Sequence, residues 1–406
     1  MNGNHAHGHG DDLSGVPLIT YPISYQEFYN SFMKKNLPCL LDSFVTESWF
    51  VSKEWVSCSI NDVKDIHFDH LLQNLGSLDV PVSNCQERYF NSQKSSDMTF
   101  KDYLDYWIKV REANYDYNTH PCLYLKDWHF FLDLKQEHLK KPFYSVPCYF
   151  QDDWLNDHWL KNESFQDAIS DYRFVYMGPK GTCTPFHKDV YSSYSWSANI
   201  IGEKEWILVH PEKENLVRQN NKLPYDINPL LQDRDFAMQV NPLKVIQRTG
   251  QVMFVPSDWM HQVRNIKDTI SINHNWMNAC NLSSVWSSLL KALREVQIEL
   301  SDLSMESPHD WSHECQKLLR MHHGMNMQDL LEMIDTRVKR LEKERCLDMS
   351  CDDLFRHQHE VSVLRQFLPL FLSEIESSPL RQDLDSLLKN LHNRVTNLPL
   401  KSVNNV

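Results

Sequence analysis

The sequence predicts an α+β protein with a β-rich centre and helical flanks, and three observations predict it. Short β-branched and aromatic runs, each bounded by turn residues, concentrate between residues 122 and 276. Beyond residue 283 the apolar residues change to helical spacing. The composition, 41% hydrophobic and 23% charged, is globular, and 12 Trp, 19 Phe and 16 Tyr among 406 residues supply a large aromatic core.

Taken in order, residues 1–15 are polar and rich in His, Gly and Asp. They are expected to be a solvated, disordered tail with no signal-peptide character, in which His5, His7 and His9 hold metal loosely at most. Ser24 followed by Glu27 forms a capping-box pattern, with Ile23 in the staple position, and predicts a helix running to about Lys35. Residues 38–41 read as a short buried strand. Residues 45–120 show no clean period and are expected to form helices and loops packed on a core. Strands are predicted at 123–125, 173–177, 205–209, 251–255, 262–266 and 269–276, with Gly202 and Gly250 preceding two of them. Short strands over roughly a hundred residues suggest a barrel or sandwich. Helical stripes follow at Leu289, Leu293, Val296, Leu300 and Leu303, at Leu330, Ile334, Val338 and Leu341, and at Leu380, Leu384, Leu387, Leu391 and Val395. A further apolar run, 364–375, contains Pro369, which is expected to interrupt it. The expected division is a tail at 1–15, a β-rich domain with its N-terminal flank at 16–280, and a helical region at 281–406.

Composition also excludes function classes. Only 10 Gly are present, and no glycine-rich phosphate loop occurs. A formal net charge of −13 suits basic partners better than nucleic acid, so direct nucleic-acid binding is not expected. No run approaches the ~20 apolar residues of a membrane span. The 10 Cys include no C-x-x-C pair, which reads as reduced thiols in the cytoplasm or nucleus rather than a zinc cluster or disulfide framework.

The chemistry centres on His187-Lys188-Asp189. On a strand, residues i and i+2 share a face, so this His and Asp can hold one metal ion together. A second His from a neighbouring strand would complete a two-His-one-carboxylate triad that leaves three coordination positions open. The spacing alone is not distinctive, because His67-Phe68-Asp69 repeats it in a segment without surrounding strands. Context separates the two. Downstream of His187, a strand-turn-strand pattern carries Lys204, and a strand from Gly250 leads through Pro256-Ser257-Asp258 into Trp259-Met260-His261, which makes His261 the natural third ligand. His322, His323, His357 and His359 lie on the helical stripes and read as solvated or packing residues.

Three pieces, Thr184-x-x-His187-x-Asp189, Gly202-x-Lys204-x-Trp206 and the block from Gly250 to His261, resemble the jumonji-C (cupin-like) 2-oxoglutarate oxygenases over residues 120–276. The resemblance implies a double-stranded β-helix that binds Fe(II) through His187, Asp189 and His261. It also implies 2-oxoglutarate and O₂ as co-substrates. The distal carboxylate of 2-oxoglutarate, buried in the barrel, needs a cation because an unpaired buried charge is costly. By family match that cation is Lys204, with Thr184 and Tyr124 as hydroxyl donors and Asn275 near the co-substrate. Asn273 and Ser197 stand where relatives carry other polar types. Alternation on the last strand agrees, with Ser271, Asn273 and Asn275 inward and Ile270, Ile272 and His274 outward.

The implied reaction turns 2-oxoglutarate into succinate and CO₂ and oxidises a substrate C–H bond. The absence of Cys-rich zinc modules and the helical extension resemble the smaller hydroxylase branch. Within it they imply a lysyl hydroxylase acting on the eukaryotic peptide-chain release factor of translation termination, in the cytoplasm, with a nuclear location as the alternative. Two rivals share the sequence features: a jumonji-C lysine demethylase and a non-catalytic barrel serving as a binding module. A homodimer through the helical stripes is a further expectation of the resemblance.

Overall fold

The structure is a computed structural model, and it describes residues 15–89, 92–134, 142–161, 171–302, 307–344, 349–376 and 378–399. The N-terminal tail with His5, His7 and His9, and Leu303 of the first helical stripe, lie outside the described residues.

Fifteen strands are present among the described residues: β1 (Leu18–Ile19), β2 (Cys39–Leu41), β3 (Val56–Cys58), β4 (Lys64–Ile66), β5 (Asp79–Tyr89), β6 (Ser92–Thr99), β7 (Leu123–Trp128), β8 (Arg173–Gly178), β9 (Cys183–His187), β10 (Tyr194–Ile201), β11 (Lys204–Val209), β12 (Leu243–Gln247), β13 (Val252–Val255), β14 (Met260–Asn265) and β15 (Thr269–Trp276). Nine of them form one sheet in the order β1-β2-β13-β10-β15-β8-β7-β5-β6, and four form a second in the order β12-β11-β14-β9, with β3 and β4 paired separately. Leu40, Met253 and Val255 of the larger sheet pack with Trp206, Leu208 and Val263 of the smaller one, which joins the sheets face to face. The chain crosses between sheets at Gly202, whose φ of 92° suits only glycine and where a Cβ would run into the Asp268 carbonyl. The architecture is the α+β arrangement predicted, a double-stranded β-helix core with N-terminal and C-terminal helices.

Every strand predicted from apolar alternation is present. The 45–120 region differs from expectation because it contains the β5–β6 hairpin at the edge of the large sheet. Apart from Val80 and Val82, which are buried in the core, most of its residues are polar and many are exposed, so the apolar row is too short to mark it as a pair of strands. The β12 strand was likewise not predicted, and the strand expected to carry both His187 and Asp189 stops at His187, the end of β9, so Asp189 is presented by the following turn rather than by a shared strand face. Ile270 and Ile272 do turn away from the β-helix interior, but they are fully buried, under a core with Phe100, Tyr103 and Trp107 of the helix Phe100–Glu112. The Tyr103 hydroxyl, donating to the Met177 carbonyl at 2.6 Å, ties that helix to the sheet. The Ser24 hydroxyl accepts from Glu27 N at 3.1 Å, and the helix it starts widens into a π-turn at Tyr29–Met33.

Among the described residues five α-helices follow the sheets: Leu282–Glu299, Pro308–His323, Met327–Leu341, Cys351–Ile375 and Leu380–Asn397. Pro369 lies within the fourth and does not end it, contrary to the expected interruption. Phe367, Leu368 and Phe371 on either side are buried in the helical core, so tertiary packing outweighs the one lost hydrogen bond. That core also takes in Trp154, Leu155, Trp159, Met277 and Ala279, so the line drawn at 280/281 falls inside a shared core rather than between two. Arg337 reinforces the junction, with Nη2 at 2.6 Å from Glu360 Oε2 and Nε at 3.7 Å from Asp152 Oδ1.

Candidate active site

β9 and β14 are antiparallel neighbours, and their register puts His187 directly opposite His261. A one-residue irregularity in β9 just before His187 re-aims the strand end, as bulges commonly do beside functional sites. The two imidazole centroids are 4.3 Å apart. Asp189 follows β9, and its Oδ1 lies 3.9 Å from His187 Nε2. One ligand atom from each of His187, Asp189 and His261 falls within 4.8 Å of the others, and among the described residues this is the one such trio of His, Cys, Asp or Glu.

The side chains are poised for a cation. His187 Nδ1 lies 2.8 Å from the Pro185 carbonyl, and His261 Nδ1 lies 3.1 Å from the Trp259 carbonyl. A carbonyl only accepts, so both Nδ1 atoms carry the proton and both Nε2 lone pairs are left for a metal. Burial, followed by the neighbouring His261, pushes His187 down to about 4, which keeps it neutral, as a ligand must be. Ser195 donates to Asp189 Oδ2 at 2.6 Å and orients the carboxylate.

Beside the trio the cavity is lined by Thr184, Ser195, Ser197, Lys204, Asn273 and Asn275, with Phe174, Tyr176 and Trp206 forming its aromatic walls. Lys204 is buried at the start of β11, with Nζ 2.8 Å from Ser271 Oγ and 3.4 Å from the Tyr124 hydroxyl. Among the described residues no carboxylate pairs with it, and burial lowers it to about 7. Ser197 Oγ is buried without a partner. A buried cation and an unpaired hydroxyl beside a metal-ready trio fit a chelating dicarboxylate, with one end on the metal and the other on Lys204. Asn273 Nδ2 reaches Ser271 Oγ at 3.2 Å, and Asn275 Nδ2 donates to Ser193 Oγ at 3.1 Å, so Asn275 is partly engaged in positioning the loop after β9.

The structure thus brings together the residues singled out in the sequence around one cavity, with Tyr124 meeting it through Lys204. The decoy separates from it. His67 precedes the helix Phe68–Leu75, its Nδ1 3.2 Å from the Glu54 carbonyl, and its ring stacks on His70. His357 is buried against Glu344, and His359 packs on Tyr29. Sequence reasoning gave no role to Ser195, Ser271 or Tyr176. Ser271 was legible as an inward residue of β15, whereas Ser195 and Tyr176 carried no distinguishing signal.

The comparisons with known proteins agree with this geometry. The family model described as "JmjC domain, hydroxylase" matches residues 174–276. The mouse protein "2-oxoglutarate and iron-dependent oxygenase JMJD4" is 40% identical over 336 residues, covering 80% of this chain and 76% of the relative. Its human counterpart is 38% identical over 348 residues, covering 82% and 79%. An Arabidopsis thaliana protein named "Arginine-specific demethylase JMJ20" is 38% identical over 321 residues, covering 76% of this chain and 66% of its own.

Proposed function

Because this chain belongs to the JmjC family of 2-oxoglutarate and iron-dependent oxygenases typified by JMJD4, we propose that it is a protein hydroxylase. Its substrate in this reading is a lysine side chain of the peptide-chain release factor of translation termination, met in the cytoplasm. The oxygenase uses iron and 2-oxoglutarate. The observation that carries the site assignment is the pairing of a neutral two-His-one-Asp trio with a buried lysine that has no carboxylate partner.

The chemistry that the bound metal and co-substrate supply is oxidation of a substrate C–H bond, with 2-oxoglutarate leaving as succinate and CO₂. The protein's own part is to bind, orient and shield. His187, Asp189 and His261 would hold the iron, with Ser195 fixing the Asp189 carboxylate. Lys204 would neutralise the distal carboxylate, assisted by the hydroxyls of Thr184 and Tyr124, with Asn273 and Asn275 bordering the co-substrate. Phe174 and Trp206 line the reacting centre and would shield it from water once substrate is bound.

The lysine reading is supported by the helical extension, the similarity to JMJD4 proteins and the −13 net charge, which suits a cationic target. The name of the plant relative favours a second reading, demethylation of arginine, and the lysine demethylase of the same iron site is its neighbour. Mass mapping of release factor treated with Fe(II), 2-oxoglutarate and O₂ separates them: one added oxygen on a lysine supports hydroxylation, and loss of a methyl group from a methylated substrate supports the second reading. Succinate formation equal to that of His187→Ala would refute both and leave a silent barrel.

A further inference from the structure

Strand β7 is bulged where it meets β8. Its register steps from Leu125 opposite Met177 to Trp128 opposite Val175, three residues against two. The residues at this irregularity are Lys126 and Asp127, and Asp127 has φ 59°, a left-handed conformation uncommon for non-glycine residues but one that Asp tolerates better than most. The result is a specific display. The Asp127 carboxylate accepts a 2.5 Å hydrogen bond from the Tyr176 hydroxyl on Oδ1 and pairs with Lys126 Nζ at 2.6 Å through Oδ2.

Tyr176 belongs to the wall of the cavity that holds the metal trio, two residues after Phe174 on the same face of β8. Its hydroxyl therefore carries the Asp127 carboxylate to the edge of that cavity. Lys126 lies within electrostatic reach of His187, and His187 within reach of Asp127, which places the pair near the metal site. The side chain of Asp127 remains 50% exposed, whereas that of Lys126 is 15% exposed. An apolar aromatic wall leading to a fixed, accessible carboxylate matches an aliphatic stem that ends in a cation. The protein already fills the carboxylate with such a group, its own Lys126.

We propose that Asp127, held by Tyr176, receives the ammonium of the substrate lysine, and that Lys126 occupies this acceptor until the substrate displaces it. This rests on the lysine reading of the function and adds the residues that select for it. The exchange swaps one ammonium for another on a half-exposed carboxylate, so it needs no net burial of charge. Phe174 and Tyr176 flank the methylenes, which leaves the side chain's C–H bonds facing the metal end of the cavity.

The test is anaerobic equilibrium dialysis of the full-length enzyme, loaded with iron and 2-oxoglutarate, against two probes: Nα-acetyl-lysine methylamide and its norleucine counterpart, which lacks the ammonium. The reading is the ratio of the two affinities within each variant. The native chain should favour the lysine probe, by up to about fivefold. Asp127→Asn should bring the ratio to about one, Tyr176→Phe should lower it, and Lys126→Met, which removes the competing ammonium, should raise it. An unchanged ratio in Asp127→Asn overturns the proposal, as does a failure of both the native chain and Lys126→Met to prefer the lysine probe. Mass mapping of release factor stands apart from this result. Absence of lysine oxidation there with the dialysis pattern intact removes the choice of substrate and leaves the ammonium site.

Discussion

Lys204 Nζ and Ser271 Oγ lie 2.8 Å apart across the interior of the β-helix, and the hydroxyl is a neutral partner for a buried cation. Lys204 therefore awaits a carboxylate. Lys204→Ala should raise the 2-oxoglutarate Michaelis constant by on the order of a thousandfold, since loss of one partner of a buried charge pair costs ~3–5 kcal/mol. Metal titration of the same variant should show iron affinity close to native. A near-native Michaelis constant would remove Lys204 from the co-substrate site.

Ser195 and Asp189 make a second pair with a measurable consequence. The hydroxyl orients the carboxylate without being positioned as a ligand itself. Ser195→Ala should weaken metal affinity by about 10–100-fold, and Asp189→Ala should abolish binding. Calorimetric titration with Mn(II) under identical buffer conditions reads both. Equal affinity in native and Ser195→Ala protein would show that Asp189 is oriented by other means.

His274 predicts a pH dependence of stability. It is buried, stacked on Trp196 with centroids 4.1 Å apart, with Nε2 2.6 Å from the Tyr144 hydroxyl. Burial, and next the Arg173 charge, hold it well below the usual imidazole range. A group depressed on folding contributes its stability above its unfolded value, about 6.5, and loses it as pH falls toward the folded value. The melting temperature of the metal-free protein should therefore drop on going from neutral to mildly acid pH. His274→Phe should flatten that drop, and an identical slope in both proteins would count against it.

Arg337 should matter for stability more than for chemistry. It joins Glu360, Glu344 and Asp152 at the seam between the helical region and the segment before the helix Trp154–Lys161. Arg337→Met leaves buried acids unpaired and should cost ~3–5 kcal/mol, read as a lower urea midpoint. Adding Glu360→Gln should restore part of the loss, because it removes one of the stranded charges. If the double variant were no more stable than the single one, charge would not be the reason.

Legibility in the sequence followed burial and local spacing. The strands β8, β11, β13, β14 and β15 were readable because each alternates or runs apolar between turn residues. The β5–β6 hairpin was not, because most of its residues are polar and many face solvent, so its local pairing leaves little apolar alternation to read. The helix Pro308–His323 escaped notice for a similar reason. Its buried positions include Ser312, Cys315 and Gln316, which leave no apolar stripe to count. Pro369 misled in the opposite direction, because the local rule for proline was outweighed by packing on both sides of it.

The identity of the metal trio was legible in the sequence, since ligand chemistry restricts residue types and the surrounding motifs single out His187, Asp189 and His261, but the shared strand face expected of His187 and Asp189 is not what joins them: β9 ends at His187 and Asp189 comes from the turn that follows. The cation at Lys204 followed from the same block. What only the tertiary structure decided was the set of partners that no spacing links: Ser195 on Asp189, Ser271 on Lys204, and the bulged Asp127 under Tyr176. The last two depend on strands far apart in the chain and, at Asp127, on a left-handed backbone, while Ser195 reaches Asp189 because the short turn after β9 folds back on the start of β10. Lys204 and Ser271 meet only when the two sheets close on each other, whereas Asp127 and Tyr176 meet through the pairing of β7 with β8 within the larger sheet.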